Sequence, residues 1–209
     1  MIHIRDFSYS KIPPPPQKLP WDSWPQTPLV VDIGCGVGES TISLARDNPN
    51  WTVLGIERTE LRFEKFKNLQ SKTQLNNLYP IRADAIAWIS HNLPPKSVDH
   101  FYFYYPNPYP KAEQANLRWH RSSFMHKILD TLKEDGLITI CTNIESYFKE
   151  AKEYMMSYWG LDLYRVKVKI GDAEKARTAF ERKYLERGET CWEICCRKPV
   201  SAEKLFFTT

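Results

Sequence analysis

The chain has 209 residues, of which 42% are hydrophobic, 13% aromatic and 26% charged, and a formal net charge of +4. That length predicts one domain with a sizeable core, and the composition excludes a disordered or fibrous chain. The mild positive charge permits an anionic partner without requiring one. With no apolar leader-like run at the N-terminus and no apolar stretch of spanning length, a cytoplasmic protein without a membrane partner is expected.

Residues 1–28 are rich in proline and aromatics. Pro13, Pro14, Pro15 and Pro16 predict an extended polyproline stretch, and Trp21 and Trp24 follow among Pro20, Pro25 and Pro28. This reads as an arm anchored on the domain by its tryptophans; a lid or a partner-docking segment is the alternative. Leu29, Val30 and Val31 then lead through Asp32 and Ile33 into Gly34-Cys35-Gly36-Val37-Gly38, after which Glu39-Ser40-Thr41 opens a helix. Glycines at alternate positions do not suit a strand interior, where they pack nothing and cost backbone entropy. They suit a strand-to-helix turn whose backbone approaches a ligand, with helix N–H groups facing it. The alternative is a turn that merely needs glycine.

A second strand, 51–56, ends in Glu57, which follows the glycines at the ~20-residue spacing where an acid meets a ribose hydroxyl pair. A helix is predicted over 59–76, a strand over 78–83, and a helix over 85–90 that Asp84 is placed to cap. The strand 98–105 is unusually aromatic, with Phe101, Tyr102, Phe103, Tyr104 and Tyr105 in succession. A proline-rich loop follows, then a helix over 120–133, a turn at Asp135-Gly136, a strand over 137–141 and a helix over 146–159. Strands 161–170 and 191–196 read as a closing hairpin interrupted by a helical insert. Such alternation predicts an α/β fold, a mainly parallel sheet with helices on both faces and an antiparallel hairpin at the C-terminal end. The boundaries drawn are an arm at 1–28, the domain at 29–198 and a tail at 199–209. The five cysteines contain no C-x-x-C and no histidine at a zinc spacing, so reduced thiols and no metal are expected.

Ligands of open α/β sheets lie beyond the carboxyl ends of the strands. Those ends carry Asp32, Glu57, Asp84, Asn107 and Asn143. The G-x-G-x-G spacing resembles the S-adenosylmethionine loop of Rossmann-like methyltransferases. That resemblance puts Asp32 near the cofactor's cationic amino end, Glu57 on the ribose, and Asp84 with Ala85 at the adenine, although a helix cap serves equally well for Asp84. The segment Tyr105-Pro106-Asn107-Pro108-Tyr109-Pro110-Lys111 alternates three prolines, which fix the backbone and remove donors. It suits a site holding a flat heteroaromatic ring by stacking on Tyr105 and Tyr109 and by the amide of Asn107. A stiff turn with aromatic packing is the alternative.

Over about 29–198 the chain resembles the tRNA (guanine-N7) methyltransferase family. The likeness is carried by GIER at Gly55 to Arg58, NLYPIRADA at Asn77 to Ala85, YPNPYPK at Tyr105 to Lys111, TNIESY at Thr142 to Tyr147, and TAFERKYLERGETCWEI from Thr178 to Ile194. The resemblance implies S-adenosylmethionine held by Asp32, Gly34, Gly36, Gly38, Glu57, Arg58, Asp84 and Ala85. It implies an acceptor guanine in tRNA, positioned by Asn107, Tyr105 and Tyr109, with Asn143, Thr178 and Glu181 binding acceptor or the cofactor's amino-acid end and Lys111 and Arg118 meeting phosphate. A monomer and a homodimer are both compatible with it.

The chain also departs from the family. Two aspartates of the family pattern stand here as Asn107 and Asn143, and the basic cluster after Pro-Lys is thinned to Arg118 and Arg121. Attack by a ring N7 lone pair needs no prior loss of a proton, so alignment supplies most of the acceleration and a carboxylate base is not compulsory. Recognition differs, because a carboxylate accepts from both N1–H and N2–H of guanine whereas an amide presents an NH₂. Methylation of a small purine- or pteridine-like metabolite is therefore the alternative expectation, and an idle binding subunit a third. Three further basic groups, Arg165/Lys167/Lys169, Arg58/Arg62/Lys65/Lys72 and Lys175/Arg177/Arg182/Lys183/Arg187, read as solvated faces unless they converge on the cleft rim.

Overall fold

A computed structural model describes residue 4, residues 7–15 and residues 17–200, at Tyr9 the backbone alone. Seven strands form one sheet: β1 (Leu29–Ile33), β2 (Thr52–Glu57), β3 (Leu78–Arg82), β4 (Val98–Tyr104), β5 (Leu132–Thr142), β6 (Asp162–Lys169) and β7 (Cys191–Arg197). Their order is β3-β2-β1-β4-β5-β7-β6. The first five pair in parallel, while β7 runs antiparallel to both β5 and β6. The helices are α1 (Glu39–Asp47), α2 (Glu60–Gln70), α3 (Ala85–Asn92), α4 (Met125–Thr131), α5 (Glu145–Glu153) and α6 (Ala179–Glu186). The chain order reverses between β1 and β4, which opens a crevice at their carboxyl ends.

β1 and β2 are buried along their whole length, and both are apolar apart from Asp32 in β1 and Thr52 and Glu57 at the two ends of β2. The aromatic run of β4 is resolved by strand alternation. Phe101 and Phe103 enter the large core with Val31, Ile138 and Ile140, while Tyr102 and Tyr104 join Val30 and Cys141 in a second cluster. On that second side His100, Tyr102 and Tyr104 stack at centroid distances of 3.9 and 5.3 Å. Burial holds His100 neutral, with its pKa lowered to about 3.

Four expected elements differ in extent or in kind. α2 stops at Gln70, whose carbonyl accepts from the Thr73 hydroxyl while its own side-chain amide donates to Leu78 O. The helix expected over 120–133 is confined to Met125–Thr131 and preceded by 3₁₀ turns at Ala112–Leu117 and Trp119–Arg121. Trp119 must turn inward against Phe103 and Phe124, at 5.2 and 6.0 Å, and a straight helix would not deliver it there. β5 begins at Leu132, so Asp135-Gly136 is a kink inside a strand, with Asp135 at φ +66° and its N–H donating to Lys198 O. The helix expected over 146–159 is α5 followed by a π-helical turn at Tyr154–Tyr158.

In the arm, Trp21 packs edge-on against Trp24 and Tyr79, at 5.8 and 5.3 Å, as anchoring requires. Gln17 Oε1 accepts from Arg82 N on edge strand β3. Pro16, the last of the proline run, and 201–209 of the expected tail lie outside the described residues. Among the described residues no helix is long and apolar enough to cross a membrane, and no group of three or more His, Cys, Asp or Glu could hold a metal ion. The five cysteines carry free thiols.

Candidate active site

The glycine loop is fixed from beneath. Gly34 N and Cys35 N donate to Ile56 O at 2.8 and 3.1 Å, and Gly36 N donates to Glu57 Oε2 at 3.0 Å. All three glycines have positive φ, at +70°, +61° and +82°, but for different neighbours. A Cβ on Gly34 or Gly36 would meet nothing within 4 Å, whereas one on Gly38 would lie 2.0 Å from the Phe66 ring. Gly34 and Gly36 therefore line open space, and Gly38 is needed for packing α1 against α2.

Beneath the loop, Asp32 is fully buried. Its Oδ2 accepts from the Ser40 and Thr41 hydroxyls at 2.7 and 2.8 Å, while Oδ1 has no partner among the described residues. Burial raises its pKa to about 6 against the lowering effect of the two hydroxyls. A buried orphan acceptor is costly and signals a missing donor. An ammonium-bearing ligand fits that oxygen, and the open side of Gly34 and Gly36 fits a close backbone approach. Glu57 is largely committed, with Oε1 accepting from Thr59 N at 2.6 Å and Oε2 from Gly36 N, which leaves each oxygen one lone pair for a ribose hydroxyl. Asp84 caps α3 through Ala87 N at 3.2 Å, placing Ala85 as that helix's first residue, and its other oxygen lies 3.8 Å from Arg58 Nη1. Arg58 itself is 80% exposed.

The loop after β4 is rigid for reasons beyond its prolines. Tyr105 and Tyr109 sit at φ +50° and +42°, a left-handed conformation costly for side-chain-bearing residues. Asn107 Oδ1 accepts from Tyr109 N at 3.1 Å, closing an Asx turn. Arg118 then grips the loop's inner carbonyls, donating through Nε to Pro108 O at 3.0 Å and through Nη2 to Tyr109 O at 2.9 Å. Its Nη1 is held by Glu150 Oε2 at 2.6 Å. Glu150 also accepts from Arg121 at 3.0 Å and from His120 Nε2 at 2.9 Å. Burial depresses the His120 pKa to about 4, so the ring is neutral and its one proton belongs on Nε2. Partial burial pushes the Glu150 pKa up, and the three donors outweigh that and hold it down.

Several residues expected to meet substrate are occupied inside the protein. Arg118 faces the loop backbone and Glu150 instead of a phosphate, because the turned carbonyls of 108 and 109 need a buried donor. Thr178 caps α6, accepting from Glu181 N at 3.0 Å. Glu181 is fully buried and saturated: it accepts from Arg177 N, Nε and Nη2, from Lys169 Nζ at 3.0 Å, and from the Tyr105 hydroxyl at 3.0 Å. The Tyr105 hydroxyl is thus turned into the protein, with its ring 5.6 Å from that of Tyr184. Asn143 Nδ2 donates to Glu189 Oε2 at 2.7 Å, and Lys111 remains exposed.

The basic groups divide likewise. Arg165 and Lys169 on β6 bind buried Glu193 and Glu181, Lys167 is exposed, Arg182 pairs with Glu39 at 3.4 Å and Lys175 with Asp172 at 2.8 Å. Arg62 lies over the Phe180 ring at 6.0 Å, and Lys72 falls beyond α2. Sequence reasoning missed Arg177, Glu193 and Glu150 as organising residues. The available signal was Glu193 itself, a charge among the apolar residues of Cys191–Arg197, which demands a buried counter-charge.

Comparison with known proteins bears on this geometry. A family model described as a putative methyltransferase matches residues 26–194. A protein of Ureaplasma urealyticum named tRNA (guanine-N(7)-)-methyltransferase is 30% identical over 182 residues, covering 83% of this chain and 81% of its own. One of the same name from Nitrosospira multiformis is 27% identical over 175 residues, covering 84% and 76%. Among solved structures, a mutant 16S rRNA (adenine(1408)-N(1))-methyltransferase with cosubstrate SAM, from Catenulisporales acidiphilia, superposes with a TM-score of 0.63 at 14% identity, covering 84% and 87%. An antibiotic-related methyltransferase superposes at 0.62 and 16% identity, covering 81% and 87%. At such identities the structural likeness establishes the fold, a Rossmann-like methyltransferase fold.

Proposed function

This chain belongs to the tRNA (guanine-N(7)-)-methyltransferase family, and on that premise we propose that it transfers the methyl group of S-adenosylmethionine to N7 of a guanine in tRNA. The observation that carries the proposal is the pairing of an open glycine loop over an orphaned buried carboxylate oxygen, Asp32 Oδ1, with a conformationally locked loop at the neighbouring strand end. Bound S-adenosylmethionine supplies an electrophilic methyl on a sulfonium. Asp32 receives the ammonium, Gly34 and Gly36 admit the amino-acid portion, Glu57 takes ribose hydroxyls, and Asp84 and Ala85 border the base. In this reading Asn107, whose oxygen accepts from Tyr109 N, keeps its Nδ2 for the acceptor ring.

The chemistry asks little of a base. The N7 of guanine carries a free lone pair, so no proton need leave the guanine before a bound donor would give up its methyl group. Holding the nucleophile in line is then the chief task, and that task suits a rigid loop. The loop's stiffness comes from Arg118 and Glu150 as much as from the prolines. Asn107→Ala removes the Asx acceptor and is expected to lower kcat/KM by about tenfold with cofactor affinity unchanged, the loss of roughly one positioning hydrogen bond in a site that works by alignment. Asn107→Asp keeps the acceptor and the loop. Wild-type kinetics in the alanine variant would remove Asn107 from the site.

Labelled S-adenosylmethionine offered with total tRNA, and separately with a metabolite extract, tests the proposal. Label in 7-methylguanosine of tRNA, identified by mass spectrometry, is the expected result. Label confined to a small heteroaromatic product would overturn it in favour of a metabolite enzyme, a reading the amides at 107 and 143 and the inward-turned Arg118 would then explain.

A further inference from the structure

Resting on the reading of guanine as acceptor, we infer that Glu189 is the carboxylate that reads the donor edge of the base, and that Asn143 holds it there. Guanine presents two adjacent donors, N1–H and N2–H, and a carboxylate is the side chain that accepts from both at once. Among the carboxylates at the carboxyl edge of the sheet, Glu39 at the start of α1 pairs with Arg182 at 3.4 Å and Glu145 at the start of α5 pairs with Lys149 at 2.7 Å. Asp32 is buried beneath the glycine loop, and Glu57 is bound to that loop's backbone. Asp84 caps α3. Glu181 and Glu193 are 0% and 2% exposed and bound by Lys169, Arg177 and Arg165. At the two strand tips nearest the acceptor loop the side chains are amides, Asn107 and Asn143, and the Asn107 oxygen is spent on its own turn.

Glu189 differs from all of these. It follows α6 in the segment returning to β7, and its N–H donates to Tyr184 O at 3.0 Å, which fixes its backbone. Tyr184 is in turn the residue whose ring meets Tyr105 of the acceptor loop, at 5.6 Å. One carboxylate oxygen, Oε2, accepts from Asn143 Nδ2 at 2.7 Å, just past the end of β5. The other, Oε1, has among the described residues only a loose approach of 3.9 Å from Arg187, and the side chain is 36% exposed. An amide at 143 is the chemistry such an arrangement needs. Its NH₂ orients a neighbouring carboxylate, whereas a carboxylate at 143 would repel it. Glu189 thus returns to the acceptor side the charge that Asn107 and Asn143 lack, from a different element of the fold.

The test compares tRNA transcripts carrying guanosine or inosine at the methylated position, since inosine keeps N1–H and N7 but has no 2-amino group. The wild-type protein is expected to prefer guanosine. E189Q keeps an oxygen for Asn143 but turns an NH₂ toward the base's own donors. It is expected to lose roughly 10- to 100-fold in kcat/KM on guanosine, the range for a lost bidentate base contact, with the guanosine-to-inosine ratio falling to near one. Binding of S-adenosylhomocysteine by calorimetry and the thermal midpoint are expected to stay at wild-type values. N143A, which frees Glu189 without altering it, should move the ratio in the same direction. A wild-type ratio in both variants overturns the inference and leaves the function standing. Wild-type protein that methylates neither transcript overturns the function and the inference with it.

Discussion

Gly38→Ala is expected to lower the thermal midpoint by about 10 °C, whereas Gly36→Arg should stay folded and lose its affinity for S-adenosylmethionine. Both glycines have left-handed φ, so each substitution carries about 1–2 kcal/mol of backbone strain. Their surroundings separate them. A Cβ at 38 would sit 2.0 Å from a ring carbon of Phe66, which is fully buried in the cluster with Ile42, Ala45, Val53 and Leu78. Overpacking of that kind adds about 1–3 kcal/mol, and a domain of this size shifts by about 2–4 °C per kcal/mol. A Cβ at 36 meets nothing within 4 Å, so the arginine extends into the open space proposed to admit the cofactor. Its expected signature is a Kd for S-adenosylhomocysteine weakened at least ~100-fold, the occlusion of a backbone-approach site, with a midpoint lowered by only a few degrees. Retained affinity in the arginine variant would refute the glycine loop as the cofactor site, and an unshifted midpoint in the alanine variant would refute the Phe66 contact.

The glycine loop is legible in the sequence because its signal is local. Strand, loop and helix are contiguous, and the buried parallel strands on either side are mainly apolar, each with an acid at or near its carboxyl end. The succession of strands and the closing hairpin are legible for the same reason. The partners of long charged side chains are not. Arg118 looks like a phosphate ligand in the sequence, yet its anchor is Glu150, 32 positions away on α5. The Tyr105 hydroxyl looks poised for a substrate ring, yet it meets Glu181, 76 positions away. Nothing local to Arg177 distinguishes it from the solvated Lys175, which pairs with Asp172 at the surface. The helix expected over 120–133 exceeds the one that forms, because apolar spacing reads as helical where Trp119 and Phe124 are drawn into the core by separate turns. Local pattern specifies elements, and long-range pairing decides which charges remain free to act.

Arg177→Met should cost about 3 kcal/mol of folding stability and loosen the acceptor loop at the same time, since removing one partner of a buried pair costs about 3–5 kcal/mol by stranding the other charge. The guanidinium donates to Glu193 Oε2 at 2.5 Å and to Glu181 Oε1 at 2.9 Å, and lies 5.0 Å from the centre of the Tyr104 ring. The remaining contacts from Lys169 and Arg165 place this case at the low end of that range. The pH dependence identifies the cause. Burial alone would raise the Glu181 pKa, but its bonds from Arg177 hold it down, from an ordinary 4.5 to about 2. A depressed carboxylate pKa stabilises the fold above the unfolded value and loses that contribution as pH falls from about 4.5 through about 2. The gap in stability between wild type and Arg177→Met should therefore narrow over that window, followed by denaturant unfolding at each pH. A gap that stays constant from about pH 7 down to about pH 2 would mean the arginine acts by packing on Tyr104 and not by charge. Because Glu181 also accepts from the Tyr105 hydroxyl, the same variant should lower kcat at neutral pH even where it remains folded. The charged centre between α6 and β7 thereby couples the stability of the closing hairpin to the stiffness of the loop after β4, the loop proposed to aim the acceptor.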